Sequence, residues 1–257
     1  MRKVLLMSAV LATMGAPALA ADLAVKAPPP KSVRVWSWTG FYLGANLGGG
    51  WGKSDWFEDF SQSATGAPVG FQDASINPAG FIGGGQVGFD YQAGWLVLGI
   101  QADADLASLK GKQGNCFPAI GAANPNICSA LIESMGTVTG RVGAAFDRTL
   151  FYLLGGFAWE HERLDDLCIA CNTGGRDILA RSVTTRAGWT VGAGLEYVFA
   201  GNWSAFLQYN YMRFGTRDLQ FTTALADGTP PFTVDVRDHI HAVKAGINYR
   251  FNWGAAP

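Results

Sequence analysis

The four cysteines are the residues whose type and spacing most directly suggest chemistry. They form two local pairs, Cys116 with Cys128 and Cys168 with Cys171. In a protein exported to an oxidising compartment, such pairs predict two disulfides that staple loops, although four cysteines allow three connectivities. A zinc site is the alternative. The two pairs lack the matched spacing of zinc motifs, however, and no thioredoxin-like context suggests a redox thiol pair.

The three histidines, His161, His239 and His241, are candidate ligands for a metal or haem iron, because neutral imidazole binds both. All three fall near predicted strand ends beside long loops, where a histidine more often lies at a wet interface. The sequence contains no Gly-x-Ser-x-Gly elbow, phosphate loop or zinc-protease motif. We therefore predict no enzyme activity, no cofactor and no metal site.

Seven charged residues share the polar side of segments in which apolar and polar residues alternate. Because both signs occur near the segment centres, and buried ions must be paired or solvated, we predict that these residues form a charge network inside a barrel. The alternative is a set of solvated charges on the outside of a soluble protein, which alternation alone does not exclude. The seven are Asp90, Asp103, Asp105, Arg141, Glu196, Lys244 and Arg250.

The elements that would position these charges are eight segments of about ten alternating residues, the length that a tilted strand needs to cross a bilayer. In the sixth, Trp189, Val191 and Leu195 alternate with small or polar residues. The first two are rich in glycine and have the weakest pattern. The predicted strands are 40–51, 79–92, 95–106, 135–147, 149–161, 189–199, 203–211 and 243–253.

The connections between these strands alternate in length. Short turns are predicted near 92–94, 147–148 and 200–202, and long polar stretches at 52–78, 107–134, 162–181 and 218–237. Short periplasmic turns and long outward loops are typical of outer-membrane barrels. Aromatic residues at both strand ends predict two interfacial girdles. They are Trp95, Phe146, Phe199 and Trp203 near the turns, and Trp51, Trp159 and Tyr211 toward the loops.

Composition agrees with a surface that does not face water. The chain is 49% hydrophobic but only 15% charged, against roughly 25% charged for ordinary soluble domains. No stretch after residue 20 is long and apolar enough for a spanning helix, so the backbone must close on itself. We predict an all-β fold, an eight-stranded antiparallel transmembrane β-barrel with an up-and-down meander. The net charge of −1 without basic clusters excludes nucleic acid as a partner.

The N-terminus predicts export. Residues 1–20 have a basic start, an apolar stretch and small residues before a cleavage site between Ala20 and Ala21. A membrane anchor would need a longer apolar run. We predict a signal peptide over 1–20, a Pro-rich periplasmic linker over 21–38 and a barrel domain over 39–257.

The chain resembles the small porin-family outer-membrane proteins of alphaproteobacteria, which include major surface antigens of intracellular pathogens and of rhizobia. The resemblance lies in 21–23, 26–30, 38–52 and the last strand, 243–251; residues 252–257 follow where family members often end. It implies an eight-stranded barrel, similar to that of OmpA, in the cell outer membrane of a Gram-negative bacterium, inserted by the barrel assembly machinery.

Three functions are compatible with these features. The first is a structural role, with contacts to outer-membrane lipids and lipopolysaccharide and display of surface loops. The second is a narrow pore for small solutes, and the third is binding of haem or a host ligand by the loops. Eight strands favour the first, because side chains fill so narrow a barrel. The sequence does not define the oligomeric state.

Overall fold

The computed structural model describes residues 36–58, 72–114, 126–168, 178–215, 217–223 and 232–251. All of them belong to the unit Val35–Pro257. Within these ranges, no helix is long and apolar enough to cross a membrane. The strands are β1 Gly40–Glu58, β2 Gln72–Ile76, β3 Ala79–Ala93, β4 Leu96–Gly114, β5 Asn126–Phe146, β6 Thr149–Cys168, β7 Ile178–Ala200, β8 Trp203–Phe214, β9 Arg217–Thr223 and β10 Phe232–Phe251.

Eight long strands form a closed antiparallel ring. Each of β1, β3, β4, β5, β6, β7, β8 and β10 pairs with the next in the chain. The ring closes because β1 also pairs with β10, in a seam that runs from Phe41 opposite Phe251 to Glu58 opposite Val234. The predicted eight-stranded meander is confirmed.

The two short strands continue long ones. Strand β2 pairs with β1, as β3 does, and the two are separated at Asn77 and Pro78. Proline has no N–H to donate to a ladder, so it interrupts the strand, while its carbonyl still accepts a bond from the Gly52 amide at 2.9 Å. Strand β9 follows β8 and pairs with β10 beyond the end of β8.

Tight hairpins close one end of the barrel at the three predicted positions. The turns are Gly94-Trp95, Asp147-Arg148 and Gly201-Asn202. Their first residues have positive φ, +64° for Gly94, 52° for Asp147 and +49° for Gly201. Two-residue hairpins need this left-handed backbone, which glycine and aspartate tolerate.

The apolar face of the sheet points outward. Leu47, Phe81 and Leu106 are 72%, 84% and 77% exposed, whereas Asp90 and Glu196 are fully buried. A soluble protein has the reverse arrangement, and a transmembrane barrel has this one. Aromatic side chains mark both ends of the apolar band, with Trp95 and Trp203 at the turns and Trp51 at the far end, all exposed.

The strands are longer than the alternating segments from which they were predicted, which corrects the predicted loop boundaries. Parts of every predicted loop are strand, among them 107–114, 126–134, 162–168 and 178–181. The alternating pattern ends there because an outward side chain above the hydrocarbon layer need not be apolar. The backbone hydrogen bonds between neighbouring strands continue beyond the end of the alternating pattern.

The barrel interior is layered. An apolar cluster around Trp38, Val97, Leu150 and Val198 fills the turn end. A second, which includes Ile82, Leu109, Ile132 and Met135, lies toward the loop end. Outside these clusters many polar and charged side chains are buried, together with single apolar residues such as Ile76, Leu164 and Phe206.

Candidate functional site: the charged interior of the barrel

The inward charges nearest the turns form a four-membered ring of ion pairs across the lumen. Arg141 of β5 contacts Glu196 of β7 at 3.1 Å and Asp90 of β3 at 3.5 Å. Arg250 of β10 contacts the same two carboxylates, Asp90 at 2.9 Å and Glu196 at 3.5 Å. Two guanidinium groups thus alternate with two carboxylates from four different strands.

Neutral side chains also contact the charged groups of this ring. The Arg141 guanidinium donates to the Tyr42 hydroxyl at 2.7 Å and lies 4.0 Å from the centre of the Tyr152 ring. Ser204 and Asn248 donate to Glu196 at 2.6 and 3.0 Å. In a medium of low dielectric, such partners are needed to offset the desolvation of buried ions.

A second group of charges lies higher in the lumen. Lys244 of β10 contacts Asp103 at 2.7 Å and Asp105 at 3.0 Å. Thr137 donates to Asp103 at 2.5 Å, and Asn46 donates to Asp105 at 2.9 Å. The structure thus brings all seven sequence-predicted charges together inside the barrel, in two groups.

A third group was missed by sequence reasoning. Arg186 of β7 contacts Glu160 at 2.8 Å and Glu162 at 2.9 Å on β6, and it also contacts Asp238 of β10. All four side chains are buried. Glu160 lies within the predicted strand 149–161 and shares the inward parity of Leu150 to Ala158, but Glu162, Arg186 and Asp238 lie just outside the predicted strands.

The three carboxylates of this group are close enough to share a cation, with oxygens within 4.8 Å of one another. Arg186 already places its guanidinium among them. We therefore interpret the group as an ion-pair cluster.

The turn end of the lumen is sealed by the segment that precedes β1. Trp38 is fully buried. Its amide donates to the Gln92 side chain at 2.8 Å, and its carbonyl accepts from Arg250 at 2.5 Å. The Trp36 and Trp38 rings meet edge to face with centroids 6.0 Å apart. Trp36 and Trp38, at the end of the predicted linker, therefore pack against the barrel.

The histidines do not converge. His161 lies on β6 and contacts Thr185 at 2.9 Å. His239 and His241 lie together on β10, with ring centroids 5.8 Å apart. The structure therefore offers no three-histidine site.

Cys128 is buried and disulfide-bonded. Cys116 and Cys171 lie outside the described residues, as does the predicted cleavage site at Ala20 and Ala21. Both disulfide pairings and the cleavage position therefore stay predictions.

A family model described as outer membrane protein beta-barrel domain matches residues 6–251. The 31 kDa outer-membrane immunogenic protein of Brucella melitensis biotype 1 is 31% identical over 97% of this chain and 100% of its own length. The 22 kDa outer membrane protein of Rhizobium leguminosarum bv. viciae is 27% identical over 71% of this chain and 67% of its own.

Among solved structures, the outer membrane protease OmpT of Escherichia coli covers 82% of this chain and 97% of its own, with 11% identity and a TM-score of 0.48. The two sequence relatives have the names of surface proteins and not of enzymes.

Proposed function

Because the chain belongs to the outer membrane protein beta-barrel domain family and lies in the cell outer membrane, we propose that it is a non-conducting structural protein of that membrane. Its barrel holds surface loops in place and excludes solutes from its interior. The observation that carries this proposal is the ring of Arg141, Asp90, Glu196 and Arg250, whose side chains are at most 1% exposed.

The geometry supports a closed interior in two ways. Each ion pair joins strands two places apart in the ring, so the four pairs together link every second strand around the lumen and do not line an open path. Trp38 then covers the turn end. An eight-stranded barrel has only enough interior for its side chains, and these residues fill it.

The test is conductance. Protein refolded into detergent and added to planar bilayers should give no stepwise current, while a known wide porin in the same bilayers gives steps. Insertion of the protein is checked independently by protease protection of reconstituted vesicles. Stable single-channel steps from the unmodified protein would contradict the closed interior and favour the narrow pore.

A variant at Trp38 tests which of the two features blocks the lumen. Replacing Trp38 by glycine removes the cover at the turn end but leaves the Arg141 ring intact. We expect this variant to remain non-conducting, because the ion-pair ring still blocks the lumen.

A further inference from the structure

The outer wall of the barrel has a cationic and aromatic patch at its loop-side end, on β1, β8 and β10. We define the patch as two rows of outward residues. In the upper row His239 lies between Lys53 and Arg213, which face it on neighbouring strands. In the row beneath, His241 lies between Trp51 and Tyr211.

The rings of the lower row form a continuous set of contacts. The Trp51 and His241 rings are stacked with centroids 5.6 Å apart and an interplanar angle of 10°, and Tyr211 lies 5.2 Å from His241. The Tyr209 hydroxyl is hydrogen-bonded to His241 Nδ1 at 2.7 Å. These contacts hold the rings in place and make a rigid base for the cations above.

Positive charge exceeds negative charge in the upper row. Lys53 contacts Asp55 at 2.9 Å, but within the described part of the chain no carboxylate forms an ion pair with Arg213. Arg213 is exposed, and its strand neighbours His239 and Trp189 bring no negative charge. Two imidazoles add further hydrogen-bond donors. The patch is therefore suited to an anion that binds several donors at once.

The position of the patch along the barrel axis indicates that the anion belongs to a lipid headgroup. Trp51 and Tyr211 belong to the loop-side aromatic girdle, which in such barrels lies at the level of the lipid headgroups. Lys53 and Arg213 lie just above it, where charged headgroup moieties are found.

Below and beside the patch the wall is apolar and shallowly concave. The concavity lies between Leu47, Phe81 and Leu106, with Gly83 in its floor. A side chain at Gly83 or at the adjacent Gly49 would meet only one backbone oxygen, at 3.6 or 3.5 Å. The missing side chains thus leave room for an acyl chain.

We propose that this patch binds a phosphate group on the headgroup of a phosphorylated glycolipid of the outer leaflet, whose acyl chains lie along the apolar wall below. Arg213 and Lys53 bind the phosphate, and Trp51, Tyr211 and His241 pack against the sugar. The inference rests on the membrane-inserted barrel of the proposed function but does not require the lumen to be closed.

A metal ion fits the patch less well. The His239 and His241 rings are nearly perpendicular, at 87°, and His241 Nδ1 is occupied by Tyr209. Among the described residues, the single group with metal-ligand geometry lies elsewhere, inside the barrel.

The test is a lipid titration followed by native mass spectrometry of the refolded, detergent-solubilised protein. The probes are diphosphoryl lipid A and the same lipid A with its phosphates removed. We expect one tightly retained diphosphoryl lipid A per barrel and much weaker retention of the dephosphorylated lipid. The double variant Lys53→Gln/Arg213→Gln should bind diphosphoryl lipid A roughly 30-fold more weakly, the effect expected for two cations at a membrane surface.

The matched control is Lys110→Gln/Lys112→Gln. These two lysines are also exposed on the loop-side half of the barrel, but they lie on β4 and outside the patch. The control should bind as the unmodified protein does. Equal weakening in both double variants, or equal retention of the two lipids, would overturn the proposal in favour of general electrostatic attraction.

Two further readouts complete the test. Displacement of the lipid by millimolar inorganic phosphate would also overturn the proposal, because it would indicate a site for a free anion. Unboiled gel migration checks that every variant is folded, and bilayer conductance, measured separately, reports on the closed lumen and not on this site.

Discussion

At the scale of single residues, the barrel interior is sensitive to the loss of one charge. Glu196 contacts both Arg141 and Arg250, so its removal leaves two buried guanidinium groups with Asp90 as their one remaining carboxylate in the ring. A buried ion pair that loses a partner typically costs about 3–5 kcal/mol, because the other charge stays buried without compensation.

We therefore expect Glu196→Gln or Arg141→Gln to lower the free energy of unfolding by about 3–5 kcal/mol. Urea titration in detergent, followed by gel migration of unboiled samples, measures this. The control is Asp147→Asn, at an exposed turn residue with φ of 52° that asparagine tolerates. Unchanged unfolding midpoints in both interior variants would show that the ring does not stabilise the barrel.

Arg186 gives a prediction with a pH dependence. In Arg186→Gln the carboxylates of Glu160, Glu162 and Asp238 lose the guanidinium that they share. The folded variant then binds protons more tightly than the unfolded chain, so its stability falls as the pH rises.

Urea midpoints at pH 5 and pH 8 measure this effect. The deficit of Arg186→Gln relative to the unmodified protein should be larger at pH 8. Arg148→Gln, at an exposed turn, should show no deficit at either pH. A deficit that does not change with pH would argue that Arg186 acts by packing alone.

At the scale of the strands, inward glycines make room for large side chains. A Cβ on Gly88 of β3 would overlap the Tyr42 hydroxyl. That hydroxyl is held by Arg141 at 2.7 Å and Gln101 at 3.0 Å, so it has no free space to move into. The outward Gly85 of the same strand is different, because a Cβ there would meet one backbone oxygen at 3.5 Å.

We expect Gly88→Ala to destabilise the barrel by about 1–3 kcal/mol through overpacking, and Gly85→Ala to change stability by less than about 0.5 kcal/mol. Urea unfolding of both variants tests this. Equal effects would indicate that backbone flexibility of β3, and not space beside Tyr42, explains the glycine.

The strands also show how far sequence reasoning extends. The alternation over 189–199 identifies β7 because lipid requires apolar residues on one face and the lumen requires small or polar residues on the other. Outside the bilayer the outward side chains need not be apolar, so only the inward positions keep a preferred residue type. Arg186 and Asp238 therefore lay in segments that the pattern did not assign to strands.

The inward ion pairs could be predicted as a set, since Asp90, Arg141 and Glu196 share the polar parity. Their individual partners could not, because the pairing joins strands that are distant in sequence and depends on the registers of the whole ring. The outer patch was missed for the same reason. Lys53, Arg213 and His239 come together only once β1 and β8 flank β10.

At the scale of the whole molecule, closure of the barrel can be tested on one gel. Refolded protein should migrate differently before and after boiling, because a closed barrel resists detergent unfolding. Identical migration, together with solubility in the absence of detergent, would contradict a transmembrane barrel.

Peptide mass spectrometry of the unreduced protein then tests the predicted links of Cys116 to Cys128 and Cys168 to Cys171. Strands β5 and β6 lie side by side, with Cys128 opposite Asp166 and Cys168 opposite Asn126. A Cys128 to Cys168 link would therefore contradict the local pairing and tie two neighbouring strands together instead.

The seam between β1 and β10 also governs the order of assembly. Strand β1 pairs with β10, which ends at Phe251. Nearly the whole chain must therefore be synthesised before the ring can close. Until then β1 keeps an open edge, which is a hazard for aggregation. A chain cut short by one strand would lose the seam and expose two edges at once. Only a chain that includes β10 therefore forms a barrel without exposed sheet edges.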